Sequence, residues 1–311
     1  MNELNIREVD RLEITILVDN YTDLLLLQST EVIKRPRVAP PKAPLAEHGL
    51  SCLLKVYADS EEHIVLVDAG IAAATLFHNA DLLDVDLSQV ESMVLSHGHF
   101  DHFGGLAEFL SQADREMPLT LHPDAFLERR LNIPGVGRPV EMPVLDEEAL
   151  VEDGAVLHKA KTASTLAGDL VLVTGEVERI TDFERGFPWA EANIEGQWVV
   201  DPFHDDQGLA VKVKDKGLIV IGGCSHAGII NTVKQAQKAA GTNTVHAVLG
   251  GFHLTGPIFE PIIGPTIEEM KHFEPEYIVP MHCTGWKAIN AFAKEMPEQF
   301  VLNSVGTTYV F

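Results

Sequence analysis

The sequence has little of what secreted, membrane-spanning or nucleic-acid-binding proteins need. Only three residues are cysteine, and Cys52, Cys224 and Cys283 lie too far apart to indicate a disulfide framework. No apolar run approaches the ~20 residues of a membrane helix, and charges precede the first apolar stretch, unlike a signal peptide. Basic residues number 23 against 46 acidic ones, which disfavours nucleic acid and anionic membranes as partners. We therefore expect a cytoplasmic protein with reduced cysteines.

The hydrophobic pattern is typical of a folded α/β protein. Hydrophobic residues make up 46% of the sequence. Short β-branched runs predict strands at 12–18, 52–57, 64–67, 92–95, 170–173, 209–213, 218–221, 245–249, 277–279 and 307–310. Longer amphipathic stretches predict helices at 71–80, 106–113, 123–130, 229–240, 266–273 and 286–295. Strands occur both in adjacent pairs and alternating with helices, so we predict mixed sheets flanked by helices.

The chain length allows one large domain or two ordinary ones, and we predict a single domain over residues 1–311. Within it, residues 132–206 are rich in proline and glycine and have only short apolar runs. We expect this segment to be an irregular insertion or lid.

The segment 94–106, with the sequence VLSHGHFDHFGGL, predicts a metal site. His97 and His99 are two residues apart, so in an extended backbone both rings point to the same side. Asp101 and His102 follow at the end of a predicted strand, where α/β folds place their sites. Imidazole nitrogens and a carboxylate suit zinc, iron or manganese.

Further candidate ligands follow three later strands. The strand at 218–221 leads into GGCSHAG, which contains Cys224 and His226. The strand at 245–249 leads into GGFHL with His253, and the strand at 277–279 leads into PMHCTG with His282. Each histidine alone could be an ordinary hydrogen-bonded loop residue. Their repeated position after apolar strands indicates that they contribute to one site.

These motifs together resemble the metallo-β-lactamase superfamily. Within it, the chain is most similar to the branch named for 7,8-dihydropterin-6-ylmethyl-4-(β-D-ribofuranosyl)aminobenzene-5′-phosphate synthase. The segments that carry this resemblance are LVDN (17–20), EHGLS (47–51), SHGHFDHFGGL (96–106), GEVERITDFE (175–184), GGCSHAGIIN (222–231), GGFHL (250–254) and PMHCTG (280–285). The resemblance implies a four-layered αββα sandwich with a binuclear metal site between its two sheets.

The resemblance also implies which residues bind two divalent metal ions, most simply zinc, with iron or manganese as alternatives. His97 and His99 correspond to ligands of the first metal, and we expect His226 to complete that site. The ligands expected at the second metal are Asp101, His102 and His282.

The identity of the bridging ligand stays open at this point. Relatives carry an aspartate where this chain has Cys224, and Asp206 lies near another ligand motif of the superfamily, so we consider Cys224, Asp206 or water alone. Asp68 matches a position that orients ligands without binding metal. Glu47 and His48, in the EHGLS segment, are expected to support the site in the same indirect way.

A binuclear centre of this kind predicts hydrolysis of a small anionic phosphate or pyrophosphate ester, or the dihydropterin-transferring synthase reaction. Asp101 and His253 are the predicted catalytic residues. The predicted substrate-binding residues are Arg35, Arg37, Arg129 and Arg130, because arginine suits bidentate phosphate binding, although each could equally be ordinary surface charge.

Two other classes of function fit the same scaffold, since a fold does not determine an activity. One is a non-catalytic metal-binding or ligand-sensing protein, and the other is an iron-dependent redox enzyme. The sequence predicts no particular oligomeric state.

Overall fold

Two main β-sheets, one smaller sheet and seven α-helices occur in the part of the chain that the computed structural model describes, residues 4–311. The helices are α1 Ala73–Leu82, α2 Phe100–Phe103, α3 Leu106–Ala113, α4 Glu147–Glu152, α5 Ile229–Ala240, α6 Ile263–His272 and α7 Trp286–Glu295. Within residues 4–311, no helix is long and apolar enough to cross a membrane.

The strands are numbered along the chain. The first ten are β1 Glu8–Val9, β2 Arg11–Val18, β3 Ile33–Lys34, β4 Ser51–Ala58, β5 Glu61–Val67, β6 Ser92–Val94, β7 Met117–Leu121, β8 Arg129–Leu131, β9 Val140–Glu141 and β10 Ala155–Lys159. The others are β11 Thr162–Leu166, β12 Val171–Gly175, β13 Ala190–Ile194, β14 Gln197–Val200, β15 Leu209–Val213, β16 Gly217–Gly222, β17 Val245–Gly251, β18 Tyr277–Met281 and β19 Thr308–Val310.

Both main sheets are mixed, as the sequence predicts. The first has the strand order β10-β7-β6-β5-β4-β2-β19-β3. The second has the order β11-β12-β15-β16-β17-β18, with β1 paired to β15. The small sheet has the order β14-β13-β8-β9.

The buried side chains divide into three layers, which confirms the αββα sandwich. One apolar cluster fills the space between the two sheets, with residues such as Ile14 and Val56 facing Val211 and Leu249. A second cluster packs α5, α6 and α7 against the outer face of the second sheet. A third packs α1 and α3 against the outer face of the first. This arrangement follows from strands that bury both faces and helices that bury only one.

Two predicted elements differ from the structure. The helix predicted at 123–130 is wrong: a short 3₁₀ turn, Pro123–Phe126, is followed by strand β8. Because β8 pairs antiparallel with β13, about 60 residues later, tertiary pairing overrides the local helical pattern.

The segment 132–206 is more regular than its composition predicts. It contains α4 and strands β9 to β14, and of these β10 belongs to the first main sheet while β11 and β12 belong to the second. Strands β10 and β11 are short and only partly buried, so their hydrophobic alternation is weak. Residues 1–3, which the predicted domain includes, lie outside the described part of the chain.

The sheets bring several strand ends together at one edge. Strands β16, β17 and β18 are parallel neighbours, so the loops that follow them leave from the same side. Strands β5 and β6 are parallel in the opposite sheet, and the loops after them approach the same region. Of the candidate ligands predicted from sequence, His97, His99, Cys224, His226 and His282 follow these strands directly, and Asp101 and His102 lie in the short helix α2 that follows the loop after β6.

Candidate metal centre

Three histidines form one cluster of metal-binding atoms. The Nε2 atom of His226 lies 3.2 Å from Nε2 of His97 and 3.1 Å from Nδ1 of His99. All three side chains are buried, and burial, together with nearby cationic groups, lowers the pKa of each imidazole well below its ordinary value. Three neutral imidazoles with converging nitrogen lone pairs are a donor set that suits a divalent cation.

A second cluster combines a carboxylate, a thiol and two imidazoles, and shares no residue with the first. Its members are Asp101, His102, Cys224 and His282, whose donor atoms all lie within 4.8 Å of one another. The Cys224 sulfur lies 3.2 Å from Nε2 of both histidines. Burial alone raises the pKa of Asp101, but the charge of His102 and a hydrogen bond from His282 outweigh it and lower that pKa below its ordinary value.

Asp68 fixes the orientation of His102. The Oδ2 atom of Asp68 lies 2.6 Å from Nδ1 of His102, and Oδ1 accepts a 2.7 Å hydrogen bond from the backbone N–H of Ser96. Burial lowers the pKa of His102, but Asp68 and Asp101 more than compensate and raise it to about 9. An Asp68 contact at Nδ1 leaves Nε2 directed into the second cluster, which is the arrangement that carboxylates give to metal-binding histidines.

The LVDN segment supports His282, a role that the sequence reasoning missed. The side chain of Asn20 places Oδ1 3.1 Å from Nδ1 of His282. Asp19 accepts a 2.8 Å hydrogen bond from the backbone N–H of His282 and is itself buried. The only available indication was the resemblance of this segment to the family, because the two partners are about 260 residues apart.

Glu47 and His48 occupy different positions relative to the clusters. Glu47 accepts hydrogen bonds from the backbone N–H groups of Ile71 and Ala72, just before α1, so it holds a loop and not a ligand. His48 lies beside the second cluster, with Nε2 3.6 Å from Oδ2 of Asp101.

The two side chains considered as bridging ligands, Cys224 and Asp206, have different surroundings in the structure. The Cys224 sulfur lies among the donor atoms of the second cluster. Asp206 instead accepts a 2.9 Å hydrogen bond from the backbone N–H of Ala227 and belongs to neither cluster. All three cysteines are free and buried.

His253 lies between the clusters and a cavity. Its ring centroid is 4.2 Å from that of His226 and 4.5 Å from that of Phe259. A cavity of about 280 Å³ opens beside these rings. Its walls are mostly apolar, and they include Phe183, Glu184, Arg185, Ser225, His226, Phe252, His253 and Phe259. Ser225, His226 and His253 each carry a buried polar atom that has no hydrogen-bond partner.

None of the four arginines predicted to bind substrate lines this cavity. Arg35 donates to Thr307 Oγ1 and to the carbonyl of Leu302, and Arg37 lines the same separate surface pocket. Arg130 donates to a carboxylate of the small sheet and stacks over an indole ring 4.0 Å away.

Arg129 is buried, and its side chain donates to protein groups on all three of its nitrogens. It donates through Nε to Asp201 and through Nη2 to Asp205, each at 2.8 Å. The arginine that does line the cavity is Arg185, which directly follows the GEVERITDFE segment. Sequence reasoning missed it because the segment's placement depends on long-range packing.

Comparison with known proteins identifies the family. Residues 52–115 match a model described as the metallo-β-lactamase superfamily. The chain is 32% identical over 304 residues to the 7,8-dihydropterin-6-methyl-4-(β-D-ribofuranosyl)-aminobenzene-5′-phosphate synthase of Methanocaldococcus jannaschii, covering 96% of each chain. The chain belongs to the metallo-β-lactamase superfamily. An uncharacterised protein of the same organism is 31% identical over 84% of this chain and 92% of its own length.

Solved structures of superfamily proteins share the fold. A metal-dependent hydrolase of the β-lactamase superfamily superposes with a TM-score of 0.74 at 23% identity, over 96% of this chain and 98% of the other. Zinc-bound PqqB from Methylobacterium extorquens superposes with a TM-score of 0.51 at 12% identity, over 95% and 99%. At these identities the likeness concerns the fold alone.

Proposed function

We propose that this protein is a binuclear metal-dependent enzyme that acts on a small anionic phosphate or pyrophosphate ester. The observation that carries the proposal is the presence of two buried donor sets with no residue in common, which adjoin each other because Cys224 of one and His226 of the other lie within reach of a third group completed by His253. Buried polar groups of this kind are costly unless they are paired or coordinate a metal. Superfamily membership independently supports an enzyme.

The ligand assignment follows from the clusters. His97, His99 and His226 would hold one ion, and Asp101, His102, Cys224 and His282 would hold the other. Zinc is the simplest choice for a set of imidazole, thiolate and carboxylate donors, with iron or manganese as alternatives. When bound, such a pair supplies Lewis acidity toward phosphate oxygens and lowers the pKa of an associated water.

The residues of the chain itself would position the substrate. The cavity of about 280 Å³ beside His226 and His253 is nearly twice the ~150 Å³ void that holds one benzene ring, so it can accept a two-ring group. Arg185, exposed at this cavity, would pair with a phosphate oxygen.

Within this function we favour the transfer reaction over hydrolysis. The relative that is 32% identical over 96% of the chain is named a synthase of a product in which a dihydropterin methyl group is linked to an aminobenzene ribofuranosyl phosphate. In that reaction, the amine nitrogen of the acceptor would form a bond to the methylene carbon while the carbon–oxygen bond to a diphosphate breaks. His253, in the cavity wall, is the candidate to take up the amine proton.

The test combines metal analysis with two assays. We expect the purified protein to contain two metal equivalents and to release diphosphate from a dihydropterin-methyl diphosphate only when the aminobenzene acceptor is present. Diphosphate release without acceptor would instead support hydrolysis, as would turnover of chromogenic phosphodiesters. A protein that binds two metals but turns over none of these substrates would favour the non-catalytic interpretation, and one without metal would contradict the proposal.

A further inference from the structure

The loop that carries His97 and His99 is held by an ion pair from two distant segments. Gly98, between the two histidines, donates its backbone N–H to Oδ2 of Asp205 over 2.8 Å. The carbonyl oxygen of Gly98 accepts a 3.4 Å hydrogen bond from Nη1 of Arg129. Arg129 in turn donates to Oδ1 of Asp205 over 2.8 Å. Both polar groups of one glycine are therefore fixed by a single buried pair.

The loop that carries His226 is held in a similar way by Asp206, the residue that follows Asp205. Asp206 accepts a 2.9 Å hydrogen bond from the backbone N–H of Ala227, directly after His226. The carbonyl of Ala227 accepts a 2.8 Å hydrogen bond from Nδ2 of Asn231. The other carboxylate oxygen of Asp206 has no hydrogen-bond partner.

The aromatic ring of Phe203 adds a direct contact from the same segment. It stacks on the His226 ring with a centroid distance of 4.4 Å and an interplanar angle of 10°. It also meets the His99 ring edge-on at 5.7 Å. The segment 203–206 therefore touches both ligand loops, and its two carboxylates are almost completely buried.

We propose that Asp205 and Asp206 are positioning residues that set the spacing between the His97–His99 loop and His226, and so determine the metal affinity of the three-histidine cluster. The inference rests on the metal centre of the proposed function. Because the two aspartates are consecutive, a shift of one loop is transmitted to the other through a single peptide unit. Neither carboxylate belongs to a donor cluster, so their effect acts through the backbone of the ligand loops.

The experiment titrates the metal-free full-length protein with Zn²⁺ against a chromophoric chelator and resolves the two dissociation constants. Asp205→Ala and Asp206→Ala should each weaken one of the two sites by about 10- to 100-fold, the range found for groups that support metal ligands. His226→Ala identifies which of the two constants belongs to the three-histidine cluster. The other site should change by less than about twofold.

Conservative variants separate positioning from folding. Asp206→Asn should retain wild-type affinity, because the amide oxygen can still accept from Ala227 and the second oxygen has no partner to lose. Asp205→Asn should bind Zn²⁺ more weakly, because both oxygens of Asp205 accept hydrogen bonds, one from Gly98 and one from Arg129. If the alanine variants fail to fold, the comparison of Asp205→Asn with Asp206→Asn tests the proposal. Equal Zn²⁺ affinities of the three-histidine cluster in these two variants would overturn it.

Asn79→Ala is the matched control. Asn79 is fully buried and bonds the backbone of Leu17 and Leu45, and none of its three hydrogen bonds reaches a residue of either cluster. Its loss should lower the unfolding temperature without changing either dissociation constant. If Asp205→Ala and Asp206→Ala behave like Asn79→Ala, the positioning role is wrong. A wild-type protein that binds fewer than two ions would instead refute the proposed binuclear function.

Discussion

At the scale of single residues, the two donor clusters differ in their charge. The three-histidine cluster contains no acidic side chain, and its lowered pKa values keep the imidazoles neutral. The second cluster contains the Asp101 carboxylate, whose negative charge would offset more of a cation's charge, and the Cys224 thiol, whose pKa burial raises and which would become a thiolate on binding the metal. The two sites are therefore expected to differ in affinity and in preference for soft metals.

Single substitutions should remove one metal each. We expect His97→Ala to lose the ion of the three-histidine cluster and His102→Ala to lose that of the second, because each deletes a buried donor that lies outside the sheets, His97 on the loop after β6 and His102 in the short helix α2. Metal content by elemental analysis should fall from two equivalents to one, with far-ultraviolet circular dichroism unchanged. His272→Ala, at an exposed histidine in the last turn of α6, is the control. Two equivalents in either variant would contradict the assignment.

A second substitution tests the anionic substrate. Arg185→Gln should raise the KM for a phosphorylated substrate by about tenfold, the effect of losing one charge-assisted hydrogen bond, with a smaller effect on kcat. Arg130→Gln is the matched control, since Arg130 bonds Glu191 in the small sheet. An increase in KM for Arg130→Gln alone would restore the role predicted from sequence.

The sequence predicts the residues of this site wherever the indication is local. The HxHxDH motif places four donors within six residues, and the structure brings all four into the two clusters. The roles of the arginines could not be predicted in this way, because they depend on partners far along the chain. Arg129 meets Asp201 and Asp205 more than 70 residues further along, and no local pattern distinguishes such a buried pair from a substrate-binding group.

At the scale of elements, the GEVERITDFE segment is tied to the start of α5. Glu184 accepts hydrogen bonds from the backbone N–H groups of Ile230 and Asn231. Asn231 returns the contact by accepting from the backbone of residues 180 and 181. A Cβ at Gly228 would lie 2.1 Å from the Glu184 carboxyl carbon, so only glycine allows this approach. These hydrogen bonds join the cavity wall to the loop that carries His226.

The pH dependence of stability should reveal Glu184. Burial outweighs its hydrogen bonds and raises its pKa to about 7, above the ordinary value of 4.5 that applies in the unfolded chain. The folded protein therefore holds a proton that the unfolded chain has released, and the stabilisation is lost as pH rises through this window. The loss amounts to at most about 3 kcal/mol.

Urea unfolding of the metal-free protein between pH 4.5 and 8 measures this contribution. The free energy of unfolding of the wild type, relative to Glu184→Gln, should fall by up to about 3 kcal/mol over that range. Glu298→Gln, at an exposed glutamate, should follow the wild-type profile. Parallel profiles for the wild type and Glu184→Gln would contradict the raised pKa.

Most elements could be predicted because their burial is regular along the chain. Strand β2 alternates between buried and more exposed positions, and α5 ends at Gly241 in the left-handed conformation, as a helix stop should. Strand β8 could not be predicted, because it exists only through its pairing with β9 and β13. Strands β10 (AVLHK) and β11 (TASTL) are mostly exposed or half-buried and lack the alternation of apolar and polar residues that predicts a strand.

At the scale of the whole molecule, the charge opposes the proposed substrate. The formal net charge is −23 at pH 7, so an anionic ligand is repelled at long range. At the proposed metal centre the local charge would be positive, since two divalent ions would add four positive charges, against one negative charge each from the Asp101 carboxylate and a Cys224 thiolate. Association would therefore cross a repulsive outer field before it reaches an attractive site.

Ionic strength separates these two fields. Raising salt from ~0.01 M to ~0.15 M shortens the screening length from ~30 Å to ~8 Å, which suppresses the distant repulsion more than the short-range attraction. We expect kcat/KM for an anionic substrate to rise by at least about twofold over this range, whereas a neutral ester should show no such increase. Steady-state kinetics in KCl, with sucrose of equal osmolality as the control, measures the effect. A decrease of kcat/KM with salt would mean that cations outside the metal centre dominate the approach, and the assignment of substrate capture to the centre and Arg185 would be wrong.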